Sequence, residues 1–409
     1  KSLVITPSLR GGGAERTLVN LLKRLDKESQ AIELLVGIPG GELETEVPDS
    51  VEKTYLFHSR FLGRSAFWLF RKGIFRLPLK WAWNAKSKQI HTNVVFFQDS
   101  FLTDLHHLCS SNAKKTIIIH SNCETNPNYA LSKLAPPVKQ ELLERRYRPL
   151  DGIYFVSESA QSAFQRTFGA LETYKRLPIL FSAQAIRQMA VLQETEQVID
   201  TEAKMTRNKD SGTDSSRPCR FICLGSLLPV KDHELLLRAS NQLNQAGYDF
   251  RLDIVGDGPL RERLWNLVQE LGLENRVSMH GYVSNPYPLI RAADVLILPS
   301  VSEAMPTVLC EAHALSTPVL ASDCEGCRDL LKDGEFGVLF ERKPESLTRE
   351  MIKMISSEDY RDNWAQKGRK WLLDYDEESV FEEYRSMILE NDSTASRCAS
   401  NLEELSPQS

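Results

Sequence analysis

Residues Ser300–Leu315 read S-V-S-E-A-M-P-T-V-L-C-E-A-H-A-L, and this stretch decides the fold of the second half of the chain. The apolar run before it predicts a buried strand, and Pro306 stands where a first-turn proline opens a helix. We therefore expect a strand-loop-helix junction with Glu303 in the loop and Glu311 inside the helix. Such junctions are the repeating unit of parallel α/β sheets.

The start of this predicted helix has the chemistry of an anion site. The amides of Thr307 and Val308 would be helix donors without an intrahelical partner, and such donors attract phosphate. The carboxylates of Glu303 and Glu311 on either side suit groups that are rich in hydroxyls. In outline, the stretch predicts a nucleotide-sugar site.

Length and composition narrow the class of protein. At 409 residues, the chain is long enough for two or three domains. A hydrophobic fraction of 42%, a charged fraction of 26% and a net charge of -5 are typical of a soluble globular protein and argue against a nucleic-acid partner. The sequence shows no apolar run of membrane-spanning length, and its N-terminus reads as a short strand, so we expect a cytoplasmic location.

The cysteines give little support for a metal or disulfide framework. Eight cysteines are spread over a long chain, and the only close pair is Cys324 and Cys327. A zinc site would require a second pair and a redox motif a thioredoxin-like context, so we expect no metal and no redox role.

The first half of the chain alternates predicted strands with helical stretches, which favours a parallel sheet flanked by helices. The predicted strands are Leu3–Thr6, Ile32–Val36, Val94–Phe97, Thr116–Ile119 and Gly152–Val156. Between the first strand and a helix from about Ala14 lie three glycines that include Gly12 and Gly13. They suit either close approach of the backbone to a phosphate or a plain flexible loop. His120 follows the fourth predicted strand, where ligands of such sheets bind, although a lone histidine is often structural.

Residues 57–88 form a local basic and aromatic segment in a chain of net negative charge. The segment has no acidic residue and contains Arg60, Arg64, Arg71, Lys72 and Arg76 among its cations. This mixture suits an anionic membrane surface or a lipid-linked ligand, and the alternative is a solvated helix face over an ordinary core. We favour the membrane or lipid-acceptor interpretation.

A polar stretch divides the chain, and the second half repeats the strand-helix alternation. We predict domains at 1–190 and 218–376, a mobile linker at 191–217, a helix at 377–389, and a disordered tail at 390–409. The predicted strands of the second domain are Arg220–Leu224, Phe250–Val255, Val277–His280, Asp294–Leu298, Pro318–Ala321 and Gly337–Phe340. Together they describe a doubly wound sheet. Lys231 and Asp232 follow the first of these strands. Lys231 is a candidate partner for a diphosphate, and Asp232 is a candidate N-cap for the next helix.

With these pieces in order, the chain resembles the retaining glycosyltransferases of family 4. The resemblance rests on G-G-G-A-E-R near the start, F-I-C-L-G-S-L-L-P-V-K, D-I-V-G-D-G-P-L-R, and G-Y-V-S-N-P-Y leading into S-E-A-M-P-T-V-L-C-E. It implies an α/β GT-B fold of two facing Rossmann-like domains, in which the helix at 377–389 crosses back to the first domain. The subgroup that extends lipid-linked oligosaccharides, capsules or O-antigens is the most similar.

The resemblance also implies roles for single residues. His120, Glu303 and Lys231 would be catalytic: Glu303 would bind hydroxyls of the transferred sugar, and Lys231 would neutralise the leaving diphosphate. The remaining donor contacts would come from Gly12, Gly13, Ser226, Met305, Pro306, Thr307, Val308 and Glu311. The implied donor is a UDP-sugar or another nucleotide diphosphate sugar, with no cofactor and no metal. The implied acceptor is a saccharide or a polyprenyl-diphosphate-linked saccharide, bound peripherally at the inner membrane face through Arg60, Arg64, Arg71, Lys72 and Arg76.

Two departures keep other functions open. The family commonly has arginine at Ser226 and glycine at Ala304, so a catalytically weak binding subunit of an assembly complex is one alternative. An NAD-dependent oxidoreductase is another, because both halves are Rossmann-like, although neither Gly11–Gly13 nor Gly256–Gly258 fits G-x-G-x-x-G.

Overall fold

The computed structural model describes residues 1–28, 31–57, 59, 91–124, 131–192 and 217–389. The chain forms two compact units. The first contains Lys1–Leu180 and the chain from Glu377 onward, and the second contains Phe181–Asp376. The basic segment, most of the predicted linker and the predicted tail lie outside the described residues.

The first unit is built on a seven-stranded sheet in which every strand pairing is parallel. Its strands are β1 (Ser2–Thr6), β2 (Ile32–Val36), β3 (Glu52–Tyr55), β4 (Asn93–Phe96), β5 (Lys114–Ile119), β6 (Gly152–Phe155) and β7 (Tyr174–Arg176). Helices α1 (Gly13–Asp26), α2 (Pro136–Leu142) and α3 (Glu158–Phe168) connect them. The strand order is β3-β2-β1-β4-β5-β6-β7.

All five strands predicted for this unit are confirmed, whereas β3 and β7 were not predicted. Both are edge strands, and their sequences, E-K-T-Y and Y-K-R, contain no buried residue. An edge strand tolerates charged side chains because one side of it faces solvent, so it lacks the apolar run by which a central strand is recognised.

The second unit contains a six-stranded sheet, again with every pairing parallel. Its order is β10-β9-β8-β11-β12-β13, from strands β8 (Cys219–Leu224), β9 (Phe250–Val255), β10 (Val277–Gly281), β11 (Val295–Leu298), β12 (Val319–Ser322) and β13 (Val338–Phe340). All six predicted strands are confirmed. The helices are α4 (Ala183–Leu192), α5 (His233–Gln245), α6 (Arg261–Glu270), α7 (Tyr287–Ala292), α8 (Thr307–Ala314), α9 (Glu325–Leu331), α10 (Pro344–Ser356) and α11 (Glu358–Leu373).

The boundary between the units lies earlier than we predicted. The second unit begins at Phe181, so α4 belongs to it and not to the first unit. Arg187 Nε donates to Ala314 O over 2.9 Å, and Asn285 Nδ2 donates to Met189 O over 2.9 Å. These bonds tie α4 to the end of α8 and the start of α7, and no such partner could be read from the helix's own sequence.

The last described helix, α12 (Glu377–Leu389), is part of the first unit. Ser2 Oγ donates to Ile388 O over 2.6 Å, and Asn93 Nδ2 donates to the same carbonyl over 3.0 Å. The guanidinium of Arg24 lies 3.8 Å from the centre of the Phe381 ring. The chain therefore passes from the first unit into the second and then back into the first, where α12 packs beside β1 and β4.

Candidate active site

Lys231 and Glu303 meet where the strand order of the second sheet reverses. Lys231 ends a short 3-10 turn after β8, Glu303 lies in the loop after β11, and β8 and β11 are neighbours in the sheet. Lys231 Nζ lies 2.6 Å from Glu303 Oε1, and the two side chains are 24% and 11% exposed. Ligands of open α/β sheets bind at the carboxyl ends of the strands at this reversal.

The pair keeps a charged lysine in a half-buried position. Burial acts to lower the pKa of Lys231, but the Glu303 carboxylate outweighs this effect, and the pKa of Lys231 is raised. Ser300 Oγ donates a second hydrogen bond, of 2.6 Å, to Glu303 Oε1. The carboxylate is thus held by a cation and a hydroxyl at the strand reversal.

Backbone contacts place the two loops against each other and against α9. Val301 N donates to Val230 O over 2.7 Å, which joins the loop of Glu303 to the turn of Lys231. A Cβ added at Gly326 would lie 2.3 Å from Glu303 O, so α9 begins in direct contact with the Glu303 backbone. Residue 326 must therefore be glycine if Glu303 is to keep its position.

The helix predicted after Glu303 is present as α8, with one correction at its start. Pro306, with φ -78° and ψ 94°, is the N-cap residue rather than the first helical residue. Its extended ψ ends the loop and turns the chain into the helix. Thr307 and Val308 form the first turn and are partly exposed, as are Met305 and Glu311. First-turn amides have no acceptor within their own helix and remain available to a ligand.

Ser226 and Asp232 are two further residues of this region that the sequence analysis singled out. Ser226 is exposed in the loop after β8, within reach of solvent. Asp232 occupies the N-cap position of α5 but makes no side-chain cap hydrogen bond, contrary to our prediction. Its backbone is left-handed, with φ 47° and ψ 44°, and its carboxylate accepts a 2.9 Å hydrogen bond from Arg342 Nη2.

The first unit has its own strand reversal, between β1 and β4, with the glycine loop beside it. Gly12 is the N-cap of α1, and both Gly12 and Gly13 are exposed. Behind Gly12 lies Glu15, whose Oε2 would be 2.3 Å from a Cβ added at Gly12. Burial raises the pKa of Glu15 to about 7, although a hydrogen bond with Gln98 opposes the shift. The glycine loop thus rests on a carboxyl group that is only partly ionised near neutral pH.

His120 lies just beyond β5 and is half-buried. Its ring stacks on Phe97 with 5.2 Å between the ring centroids, and it is hydrogen bonded to the Phe97 backbone. Within the described part of the chain, its buried Nε2 atom has no hydrogen-bond partner. Burial lowers the pKa of His120 to about 4, so the imidazole is neutral at physiological pH. An unsatisfied ring nitrogen beyond a strand end suits a hydroxyl of a ligand.

The glycines of the second unit do not form a dinucleotide loop. A Cβ at Gly256 would lie 2.0 Å from Gly225 O, and one at Gly258 would lie 2.7 Å from Leu227 O. Both residues are glycine because the neighbouring loop passes against them. Their role is to pack the loop after β9 on the loop that leads to Lys231, which argues against the oxidoreductase alternative.

The residues that support the pair were not foreseen. Ser300 and Gly326 contact Glu303, and Ser322 Oγ donates to Ser300 O over 2.5 Å. Glu15 was likewise missed, although an acidic residue in the first turn after a glycine loop was a usable signal. The five predicted acceptor residues Arg60, Arg64, Arg71, Lys72 and Arg76 lie outside the described residues, so their roles stay predictions.

Across the described residues, no group of three or more His, Cys, Asp or Glu side chains is arranged to hold a metal ion. None of the helices described above is long and apolar enough to cross a membrane.

Comparison with known proteins finds a family match within the second half of the chain. Residues 205–371 match the model of the glycosyl transferases group 1. A Campylobacter jejuni N-acetylgalactosamine-N,N'-diacetylbacillosaminyl-diphospho-undecaprenol 4-alpha-N-acetylgalactosaminyltransferase is 34% identical over 34% of this chain. An alpha-D-kanosaminyltransferase of Streptomyces kanamyceticus is 24% identical over 61% of the chain. The chain spans 38% and 63% of the lengths of these relatives.

Solved structures agree over nearly the whole chain. Anabaena HepE in complex with UDP and glucose superposes with a TM-score of 0.69 at 16% identity, covering 94% of this chain and 98% of HepE. WaaG, a glycosyltransferase involved in lipopolysaccharide biosynthesis, gives a TM-score of 0.67 at 16% identity, with 95% and 100% coverage. At such low identity the likeness concerns the fold alone. The predicted GT-B class, with two doubly wound parallel-sheet domains, is confirmed.

Proposed function

We propose that this chain, whose residues 205–371 match the model of the glycosyl transferases group 1, transfers a hexose or N-acetylhexosamine from a nucleotide diphosphate sugar to a saccharide acceptor in glycan biosynthesis. The observation that carries the proposal is the Lys231–Glu303 pair at the strand reversal of the second sheet. A half-buried cation and a carboxylate lie there beside the loop that leads into a helix start, a combination that suits a sugar diphosphate.

Each group of the pair has a distinct task in this proposal. Cleavage at the anomeric carbon leaves a diphosphate anion and an electron-poor sugar ring. The Lys231 ammonium and the first-turn amides of Thr307 and Val308 neutralise the anion. Glu303 accepts hydrogen bonds from sugar hydroxyls, and Glu311 accepts one from the ribose. Since the charge of the diphosphate is met by protein groups, we propose a reaction that needs no metal.

We propose that the configuration of the anomeric carbon is retained. The acceptor hydroxyl attacks from the face that the diphosphate leaves, and the departing phosphate oxygen takes the hydroxyl proton. In this mechanism the protein supplies no nucleophile, and Lys231 stabilises charge that develops in the transition state. His120 and the loop of Gly12 and Gly13 would contribute contacts to the transferred sugar and the phosphates.

We propose UDP as the nucleotide and a lipid-linked saccharide as the acceptor. Support for UDP comes from the HepE complex, and support for a lipid-linked acceptor comes from the diphospho-undecaprenol substrate in the name of the Campylobacter relative. The basic residues of segment 57–88 would bind the diphosphate of the acceptor or the anionic membrane surface around it. We therefore propose that the enzyme works in the cytoplasm, at the inner face of a membrane.

The test is the slow hydrolysis of donor sugars, which most transferases catalyse without an acceptor. A thermal-shift screen of UDP and GDP, followed by their sugars, selects the donor because a ligand bound by the native state raises its stability. The wild-type protein should then release UDP, and Glu303→Ala should lose this activity while keeping its fold. Equal rates in both proteins would contradict the enzyme function.

A catalytically weak binding subunit is the second candidate, because Ser226 stands where arginine is common and Ala304 is buried at 7% exposure beside Glu303. The two candidates differ in one measurement. A binding subunit would show the thermal shift with UDP without any release of UDP from its sugar. Ala304→Gly and Ser226→Arg would then be expected to restore hydrolysis.

A further inference from the structure

Two cysteines lie directly beneath the Glu303 loop and have no role in the proposed reaction. Cys324 is the N-cap residue of α9 and is half-buried, whereas Cys327 lies in the first turn and is fully buried. Both are free thiols, and their side chains are hydrogen bonded to each other. The C-x-x-C spacing thus brings the two sulfur atoms into contact, with one of them reachable from solvent.

The contact between the thiols makes them chemically unequal. The Cys327 thiol donates to the Cys324 sulfur and lowers the pKa of Cys324 to about 7, while the pKa of Cys327 is raised. The more exposed sulfur is therefore partly a thiolate near neutral pH. A thiolate is the reactive form of cysteine, and the neighbouring thiol is placed to resolve an oxidised intermediate.

The pair is mechanically linked to the site. Gly326 lies between the two cysteines in sequence, and a Cβ there would be 2.3 Å from Glu303 O and 2.7 Å from Ala304 O. Cys324 N donates to Ser322 O over 2.8 Å, and Ser322 Oγ donates to Ser300 O. The first turn of α9 therefore cannot move without displacing the backbone of Glu303 or the serine that holds its carboxylate.

We propose that Cys324 and Cys327 form a redox-active dithiol, and that its oxidation to a disulfide by a hydroperoxide weakens nucleotide binding at the Lys231–Glu303 site. This assigns a modification site that the proposed transfer reaction does not use, and its effect on binding rests on that proposed function. It also reverses our sequence-based expectation that the pair has no redox role.

The chemistry balances with the hydroperoxide as the oxidant. The Cys324 thiolate attacks the terminal oxygen of the peroxide, the O–O bond breaks, and the leaving oxygen takes a proton from solvent to depart as an alcohol, or as water from hydrogen peroxide, giving a sulfenic acid on Cys324. The Cys327 sulfur then attacks the Cys324 sulfur, the S–O bond breaks, and hydroxide leaves with the Cys327 proton as water. Two electrons pass from the two sulfurs to the peroxide, and a dithiol reductant reverses the change.

The disulfide would act on nucleotide binding by changing the geometry of the first turn of α9. It replaces a hydrogen-bonded sulfur contact with a covalent bond of about 2.05 Å and a fixed dihedral angle, which requires the first turn of α9 to shift. Because Gly326 has no free space toward Glu303, the shift reaches the carboxylate that positions Lys231. Misplacement of binding groups by about 1 Å can cost up to about a hundredfold. We expect a loss of UDP affinity of about tenfold.

The experiment uses the full chain and UDP as the probe. The reduced protein is treated with hydrogen peroxide, remaining thiols are alkylated, and peptide mass spectrometry locates the disulfide while calorimetry measures UDP affinity. A Cys324–Cys327 disulfide with weakened UDP binding, restored by dithiothreitol, supports the proposal. Cys324→Ser and Cys327→Ser should each abolish the reversible loss, and Cys109→Ser, at another half-buried free thiol, should keep it.

The outcomes separate this inference from the proposed function. Absence of the disulfide, or a disulfide that leaves UDP affinity unchanged, overturns the inference. If the reduced protein binds no UDP, the proposed donor is contradicted. In that case the dithiol proposal is tested by two measurements: whether the disulfide forms, and whether the protein's melting temperature responds to it reversibly.

Discussion

Lys231 Nζ and Glu303 Oε1 lie 2.6 Å apart, although 72 positions separate the two residues in the sequence. They meet because β8 and β11 are adjacent in the sheet, and each strand delivers its following loop to the same edge. An ion pair this sheltered would be a poor device for stability alone, because desolvation offsets much of the attraction. Its position at the strand reversal explains it better as a binding site.

Replacing Lys231 should reduce catalysis far more than it reduces stability. Lys231→Ala removes the cation that we propose to face the leaving diphosphate, and we expect kcat/KM for UDP-sugar hydrolysis to fall by about a hundredfold or more. Lys231→Arg should retain part of the activity, because it keeps the charge with a different shape. The control is Lys332→Ala, an exposed lysine of the same unit, which should leave kcat/KM unchanged. A similar loss in both alanine variants would contradict the role of Lys231.

Gly326→Ala should disturb the Lys231–Glu303 site by displacing the Glu303 backbone. The new methyl group would meet Glu303 O at 2.3 Å, so either the loop or α9 has to shift. We expect a destabilisation of about 1–3 kcal/mol from overpacking, measured by urea unfolding, together with weaker UDP binding by calorimetry. Asp329→Ala, exposed on the same helix, is the matched control and should change neither quantity. Unaltered UDP affinity in Gly326→Ala would show that the Glu303 loop adapts freely.

His313 should make the second unit sensitive to mild acid. It is 1% exposed, its ring lies 5.6 Å from that of Trp371, and burial lowers its pKa from 6.5 to about 4. The unfolded chain takes up the proton first as the pH falls, so stability is complete above about pH 6.5 and declines toward pH 4. The decline from this one residue would reach about 3 kcal/mol.

The slope of unfolding free energy against pH measures this effect. His313→Leu should flatten the slope between pH 6.5 and 4, whether or not it changes the stability at pH 7.5. The control is His107→Leu, at an exposed position, which should leave the slope as in the wild type. His120 and His233 also have pKa values lowered to about 4 by burial, so a residual slope is expected. An unchanged slope in His313→Leu would refute the prediction.

The helix α12 should be essential to the first unit despite its distance in sequence. Phe381 is 2% exposed and packs under Arg24, so Phe381→Ala should lower the free energy of unfolding of this unit by about 3–5 kcal/mol. Glu382→Ala, exposed on the neighbouring position, should change it by less than about 0.5 kcal/mol. Equal stability of the two variants in urea unfolding would mean that α12 does not contribute to the core.

The basic segment should control membrane or acceptor binding and leave the donor site intact. Replacing Arg64, Arg71 and Lys72 by alanine removes three charges that would each contribute about 1 kcal/mol near an anionic surface. We expect weaker sedimentation with phosphatidylglycerol vesicles and an unchanged thermal shift with UDP. The matched control replaces three exposed cations of the second unit, Lys332, Lys343 and Lys353. Vesicle binding that survives the first triple substitution would contradict the assignment.

The sequence by itself determined the central strands, the junctions that follow them and the chemical types at the site. Apolar runs such as Val295–Leu298 are recognisable because both faces of a parallel sheet are buried. Tertiary structure alone decided the edge strands β3 and β7, the assignment of α4 to the second unit, and the contacts of Ser300, Gly326 and Cys324 beneath Glu303. These features depend on which segments become neighbours after folding, and residues far apart in the chain carry no local pattern that announces their contact.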